Sequence, residues 1–145
     1  MAQAEFREVL LVDEQKLLRV ISQYEAYPEF VDGCRSVRVL SQSSSDLLRV
    51  QYEVTVMSQE ITYTLDHKHD LKSGRVEWSL VESNFFKKNI GRWEVKSAGA
   101  GKSDVSYSIE VEFKVPVPSF ILNRLVKGSL AGMVKSFEKR ANSNR

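Results

Sequence analysis

The feature that most constrains this 145-residue chain is a two-residue alternation running, with interruptions, from Cys34 to about Val115. Its last segment, DVSYSIEVEFKV, alternates without error. Val105, Tyr107, Ile109, Val111, Phe113 and Val115 are interleaved with Ser106, Ser108, Glu110, Glu112 and Lys114. Successive side chains of a strand point to opposite faces, so the pattern predicts a sheet with one apolar and one solvated face. In LLRVQYEVTVM the apolar side carries Leu48, Val50, Tyr52, Val54 and Val56. In EITYTLDHKHD it carries Ile61, Tyr63 and Leu65, and the same parity continues to His67 and His69. In GRVEWSLV it carries Val76, Trp78 and Leu80. Turn signals at 41–46, 57–59, 72–75, 82–84 and 97–103 delimit about six strands joined as an antiparallel meander.

An apolar sheet face needs a cover, and the chain supplies one. After Pro116 and Pro118, SFILNRLVKGSLAGMVKSFEKRA predicts a helix of about six turns. Leu122, Leu125, Val126, Ser129, Leu130, Met133 and Phe137 form one stripe, with Arg124, Lys127, Lys135 and Lys139 opposite. Near the start, EFREVLL predicts a strand. DEQKLLRVISQ then predicts a helix capped by Asp13, with Leu17, Leu18 and Ile21 on one face. In YEAYPEFVDGC, Pro28 favours an extended Tyr27 and breaks or restarts the helix there, while Gly33 permits the exit into the next strand. The order predicts an α+β domain: a curved antiparallel sheet of about six or seven strands grips a long C-terminal helix, with two short helices after the first strand.

A chain of this length buries roughly 70% of its unfolded surface, enough for a hydrophobic core. One domain over residues 1–145 is expected, and no linker, repeat or low-complexity tract divides it. The lone Cys34 rules out an internal disulfide and fits a reducing cytoplasm. No apolar run approaches the roughly 20 residues of a membrane span, and no signal-peptide layout opens the chain. A net charge of +2 is too small to imply a nucleic-acid partner. The expected location is cytoplasmic, with a peripheral membrane location as the alternative.

Several motifs resemble the START/Bet v 1-like (SRPBCC) superfamily, and within it the coenzyme Q-binding and polyketide cyclase/dehydrase branch, which includes the bacterial ribosome-association toxins. Tyr27-Pro28-Glu29-Phe30-Val31, then Cys34 and Ser36-Val37, is similar to that branch's segment after the first helix. Gly91-Arg92-Trp93 resembles its late Gly-x-Trp, and Met133-Val134-x-x-Phe137-Glu138-x-Arg140-Ala141 its terminal-helix signature. Departures occur at Asp32, at Ser83-Asn84-Phe85 and at Thr64-Leu65-Asp66-His67, positions near the family's cavity and rim. The resemblance implies a helix-grip fold with a hydrophobic tunnel between sheet and terminal helix. Family members bind lipids, quinones, polyketides or other apolar molecules there. Alternation alone fits a solid core equally well.

On that reading the cavity would be lined by Tyr27, Phe30, Val31, Tyr52, Val54, Tyr63, Leu65, His67, Trp78, Trp93, Tyr107, Ile109, Val111, Leu125, Ser129 and Met133. Tyrosine and tryptophan need partners for their polar tips, which suits a partly wet cavity. By the same resemblance, YEAYPEFVDGC lies across the open end as a lid, with Tyr27, Phe30 and Val31 inward and Glu25, Glu29 and Asp32 outward. His67-x-His69 places two imidazoles on one side of a strand, but Asp66 and Asp70 point away and no third ligand follows. No metal and no cofactor is expected. The expected function is binding, with transport or presentation as its use, of a hydrophobic small molecule such as a lipid or isoprenoid quinone in the cavity between sheet and terminal helix. The alternative is an aromatase/cyclase or dehydratase in which His67 or His69 is the base and Tyr63 or Tyr107 orients an enol. The basic terminal helix and Lys87, Lys88 and Arg92 would otherwise be a solvated face, a transient membrane contact or a ribosome contact.

Overall fold

The computed structural model describes residues 2–56, 58–118, 120 and 130–143. The strands are β1 (Ala2–Leu10), β2 (Cys34–Ser44), β3 (Leu47–Val56), β4 (Gln59–Asp70), β5 (Arg75–Ser83), β6 (Phe86–Ser97) and β7 (Ser103–Phe113). The helices are α1 (Glu14–Ser22), a 3₁₀ segment (Tyr24–Glu29) and the terminal α2 (Leu130–Ser143). All seven strands form one antiparallel sheet in the order β1-β7-β6-β5-β4-β3-β2. The α+β helix-grip architecture is the one the alternation and the terminal amphipathic run require.

The buried parity is the one read from the alternation, except that β7 ends at Phe113 and leaves Val115 exposed. Val50 faces Leu65 across β3–β4, His67 faces Trp78 across β4–β5, and Trp93 faces Tyr107 across β6–β7. Asp13 caps α1 through its carboxylate, which accepts from the Gln15 and Lys16 amides. Leu17, Leu18, Val20 and Ile21 are buried beneath it. On α2 the buried residues are Leu130, Val134, Phe137 and Ala141. Val134, absent from the stripe read in the sequence, completes their helical spacing. Leu122, Leu125, Val126 and Ser129 of that stripe lie outside the described residues.

Two local features differ from, or sharpen, the sequence reading. Tyr27 is not extended: the 3₁₀ segment runs through Pro28, and the break falls at Gln23, whose φ of −91° and ψ of 67° are not helical. A 3₁₀ turn this short tolerates a missing proline N–H, because few of its amides need partners. Gly33, with φ +78°, turns the chain into β2 while its carbonyl accepts from the Thr55 amide at 2.7 Å.

Gly91 has a different task. It pairs directly with Trp78, and a Cβ there would collide with the Ser108 carbonyl and the Trp78 indole. Trp78 therefore crosses β6 only because Gly91 is bare. Gly91→Ala is expected to cost about 1–3 kcal/mol through overpacking, seen as a lower urea midpoint at unchanged m-value.

Candidate functional site

The core is filled at one end of the sheet and hollow towards the other. Near α1, residues such as Leu10, Val12, Leu17, Val95, Val105 and Ala141 are essentially without exposure. Towards the β3–β4 and β5–β6 turns, the concave face and α2 enclose a cavity of about 490 Å³. That is within the roughly 300–1,000 Å³ of small-molecule sites.

Among the predicted lining residues, Tyr27, Val31, Tyr52, Val54, Tyr63, Leu65, His67, Trp78, Trp93, Tyr107, Ile109, Val111 and Met133 stand on its wall. Leu125 and Ser129 lie outside the described residues. Phe30 is not on the wall. As C-cap of the 3₁₀ segment it leaves helical geometry, with φ −144°. Its ring meets Phe137 edge-on at 5.1 Å, beneath the Arg140 guanidinium at 5.3 Å. Glu25, Glu29 and Asp32 are exposed, and Arg140 holds Glu29 at 2.6 Å, tying this segment to α2. His69 is also off the wall, behind Tyr24.

The two histidines do not converge. The Tyr52 hydroxyl shares a 2.6 Å hydrogen bond with His67 Nε2, and the Tyr24 hydroxyl a 2.6 Å bond with His69 Nε2. Tyr24 also lies over His67, with ring centroids 4.3 Å apart. Burial, with a smaller push from His69, drives the His67 pKa down to about 3. Burial lowers that of His69 as well. A histidine held neutral this firmly accepts no proton at neutral pH and offers hydrogen bonds instead. His67 Nδ1 is buried with no partner among the described residues.

The rest of the wall has the same temper. Burial raises the phenol pKa values of Tyr24, Tyr27, Tyr52, Tyr63 and Tyr107, and pushes the Cys34 thiol up to about 11. Among the described lining residues, Asp32 is the one with a full charge, and it is exposed.

The sequence reading missed Tyr24, Asn89 and Ser136 on this wall. Asn89 is buried, and its Oδ1 accepts from Trp78 Nε1 at 3.0 Å. The signal for it was its parity with Gly91 and Trp93, obscured by the neighbouring Lys87 and Lys88. Part of the basic surface is ion-paired: Lys135 with Glu8 and Glu138, Lys88 with Glu110, and Arg92 with Glu94, whereas Lys87 and Lys139 have no ion pair among the described residues. Arg124 and Lys127 lie outside the described residues. No helix among the described residues is long and apolar enough to cross a membrane.

Known proteins agree with this geometry. The chain is similar to the protein named ribosome association toxin RatA from Vibrio cholerae serotype O1, with 25% identity over 128 residues, 88% of this chain and 86% of that one. A protein of the same name from Pseudomonas aeruginosa is 25% identical over 125 residues, covering 86% and 85%. Among solved structures, a START superfamily protein from Mycobacterium smegmatis superposes with a TM-score of 0.86 at 16% identity, covering 99% of both chains. An aromatase/cyclase from Streptomyces sp. R1128 superposes with a TM-score of 0.73 at 12% identity, covering 98% of this chain and 87% of that one. At such identities the structural likeness carries the fold alone. The sequence match is more specific, because it spans residues 12–138, from the start of α1 to the last turns of α2. The chain belongs to the family described as polyketide cyclase/dehydrase and lipid transport.

Proposed function

We propose that this chain binds an apolar small molecule, a lipid or isoprenoid quinone among the choices, in the cavity between its sheet and α2, and that it does so without chemistry. The observation that carries this reading is the cavity itself: about 490 Å³ stays open where the filled end of the same sheet packs solid. Apolar burial at about 25 cal/mol per Å² supplies the driving force. At roughly 30 Å³ per water, the space equals about sixteen waters, so a long isoprenoid tail would extend through the mouth. The neutral His67 and the bonding of both histidines to tyrosines favour holding over proton transfer. The test is uptake of the neutral reporter N-phenyl-1-naphthylamine. One saturable site per chain, with the reporter slowing alkylation of Cys34 on the wall, is expected; no uptake overturns the reading.

A second reading, contact with a ribosome, is supported by the naming of the similar RatA proteins as ribosome association toxins. Sedimentation with ribosomes or with anionic vesicles across salt concentrations separates an RNA or membrane contact from none. The ion-paired basic residues lead us to expect weak, salt-sensitive association at most.

A further inference from the structure

We propose that the cavity selects uncharged molecules presenting a carbonyl-type oxygen and rejects carboxylates of the same shape; this rests on the binding function proposed above. The basis is an imbalance in the hydrogen-bonding groups of the wall. Indole N–H is a donor only, so Trp78 Nε1 fixes Asn89 with its Oδ1 towards the ring. The Asn89 amide nitrogen is thereby turned away, and has no partner among the described residues. It is not among the fully buried unpartnered atoms, so this donor stays accessible on the cavity wall.

Tyr52 and His67 have the same surplus in either tautomer. If the Tyr52 hydroxyl donates to Nε2, then Nδ1 carries the proton and is unspent. If Nε2 donates instead, the Tyr52 hydroxyl proton is unspent. The shared 2.6 Å bond uses one donor and the pair retains another, either the Tyr52 hydroxyl proton or the Nδ1 proton. Nδ1 is fully buried, so it is the tautomer with a free Tyr52 proton that offers a donor to the cavity. The Tyr63 and Tyr107 hydroxyls, also on the wall, have no hydrogen-bond partner among the described residues.

An acceptor oxygen satisfies such a wall; a hydrocarbon leaves it unsatisfied. A carboxylate would meet the same donors, but no Lys or Arg stands among the described lining residues. Asp32, at Val31–Cys34 on the same wall, adds a negative charge. An anion would therefore find no cationic partner among the described lining residues to offset the cost of its desolvation. The upward pKa shifts of the buried phenols and thiol express the same hostility to negative charge.

The test is competition against bound N-phenyl-1-naphthylamine at pH 7.5 by three probes of one shape: 2-acetonaphthone, 2-isopropylnaphthalene and 2-naphthoate. The ketone is expected to compete about tenfold better than the hydrocarbon, as one net hydrogen bond implies. It should beat the carboxylate by at least about tenfold. The double variant Tyr52→Phe/His67→Leu removes both partners together, and should narrow the ketone's lead over the hydrocarbon, read as the ratio of their competition constants in the same variant. Independently of any variant, the carbonyl stretch of bound 2-acetonaphthone should lie below its value in hexane. Naphthoate competing as well as the ketone, or a ketone no better than the hydrocarbon with an unshifted carbonyl, overturns the selection rule while leaving the binding function intact. A protein that takes up neither reporter nor probes overturns both.

Discussion

Phe137→Ala is expected to remove about 3–5 kcal/mol of stability, the largest single loss on the terminal helix. Phe137 is 2% exposed and meets three aromatic rings, Tyr27, Phe30 and Trp93, each with its centroid 5.1 Å away. Those rings come from the 3₁₀ segment with its C-cap and from β6, so one side chain joins helix, 3₁₀ segment and sheet. Truncation leaves a void that adds to the existing cavity and cannot collapse, because the sheet behind it is hydrogen-bonded on both sides. Met133 offers the contrast. It lies on the same helix but faces the cavity and is half-buried, so it lacks contacts on one side. Urea denaturation should show Met133→Ala losing well under half of what Phe137→Ala loses.

The second large effect is acid sensitivity from His67. The ordinary histidine pKa is 6.5, and in the folded chain it is about 3. Below about pH 6.5 the unfolded chain takes up a proton that the native chain refuses until about pH 3. The unfolded state binds more protons throughout that window, so stability falls as pH falls through it. The full span corresponds to about 5 kcal/mol. His69 is shifted in the same direction and adds to the trend. Carboxylates held below their ordinary range, Asp66 by the Arg49 hydrogen bond and Glu110 by Lys88, lose their contribution at lower pH, beneath about 4. His67→Gln keeps a hydrogen-bonding group for the Tyr52 hydroxyl but does not titrate. Its urea midpoint should decline less steeply between pH 6.5 and 4.5 than the parent's, with His69 carrying the slope that remains. Parallel curves would mean that His67 is not the buried neutral base described here.

Much of the fold was legible because a strand's side chains have a period of two and a buried face tolerates no slip. Val105 to Phe113 and Leu48 to Val56 declare their faces residue by residue, and the register follows. The 3₁₀ segment was not legible in this way. Pro28 announces a break, but whether the break falls at Tyr27 or at Gln23 depends on packing: Tyr24 and Tyr27 are both buried, against His67 and Phe137. That packing also turned Phe30 outward, under Arg140. Asn89 escaped notice because a bulge between Phe86 and Lys88 shifts the parity where β6 begins. The void itself has no signature in alternation, since apolar residues at the right parity line an open cavity as readily as they fill a core. Its expectation came from the family resemblance.

Cavity filling tests the central claim most directly. Ile109→Trp places a larger apolar side chain on the cavity wall from β7, away from the Phe137 cluster. If the open space is the binding site, this variant keeps the parent's urea midpoint or exceeds it, and no longer takes up N-phenyl-1-naphthylamine. Uptake undiminished in a folded Ile109→Trp protein would contradict the account, because the reporter would then be bound elsewhere.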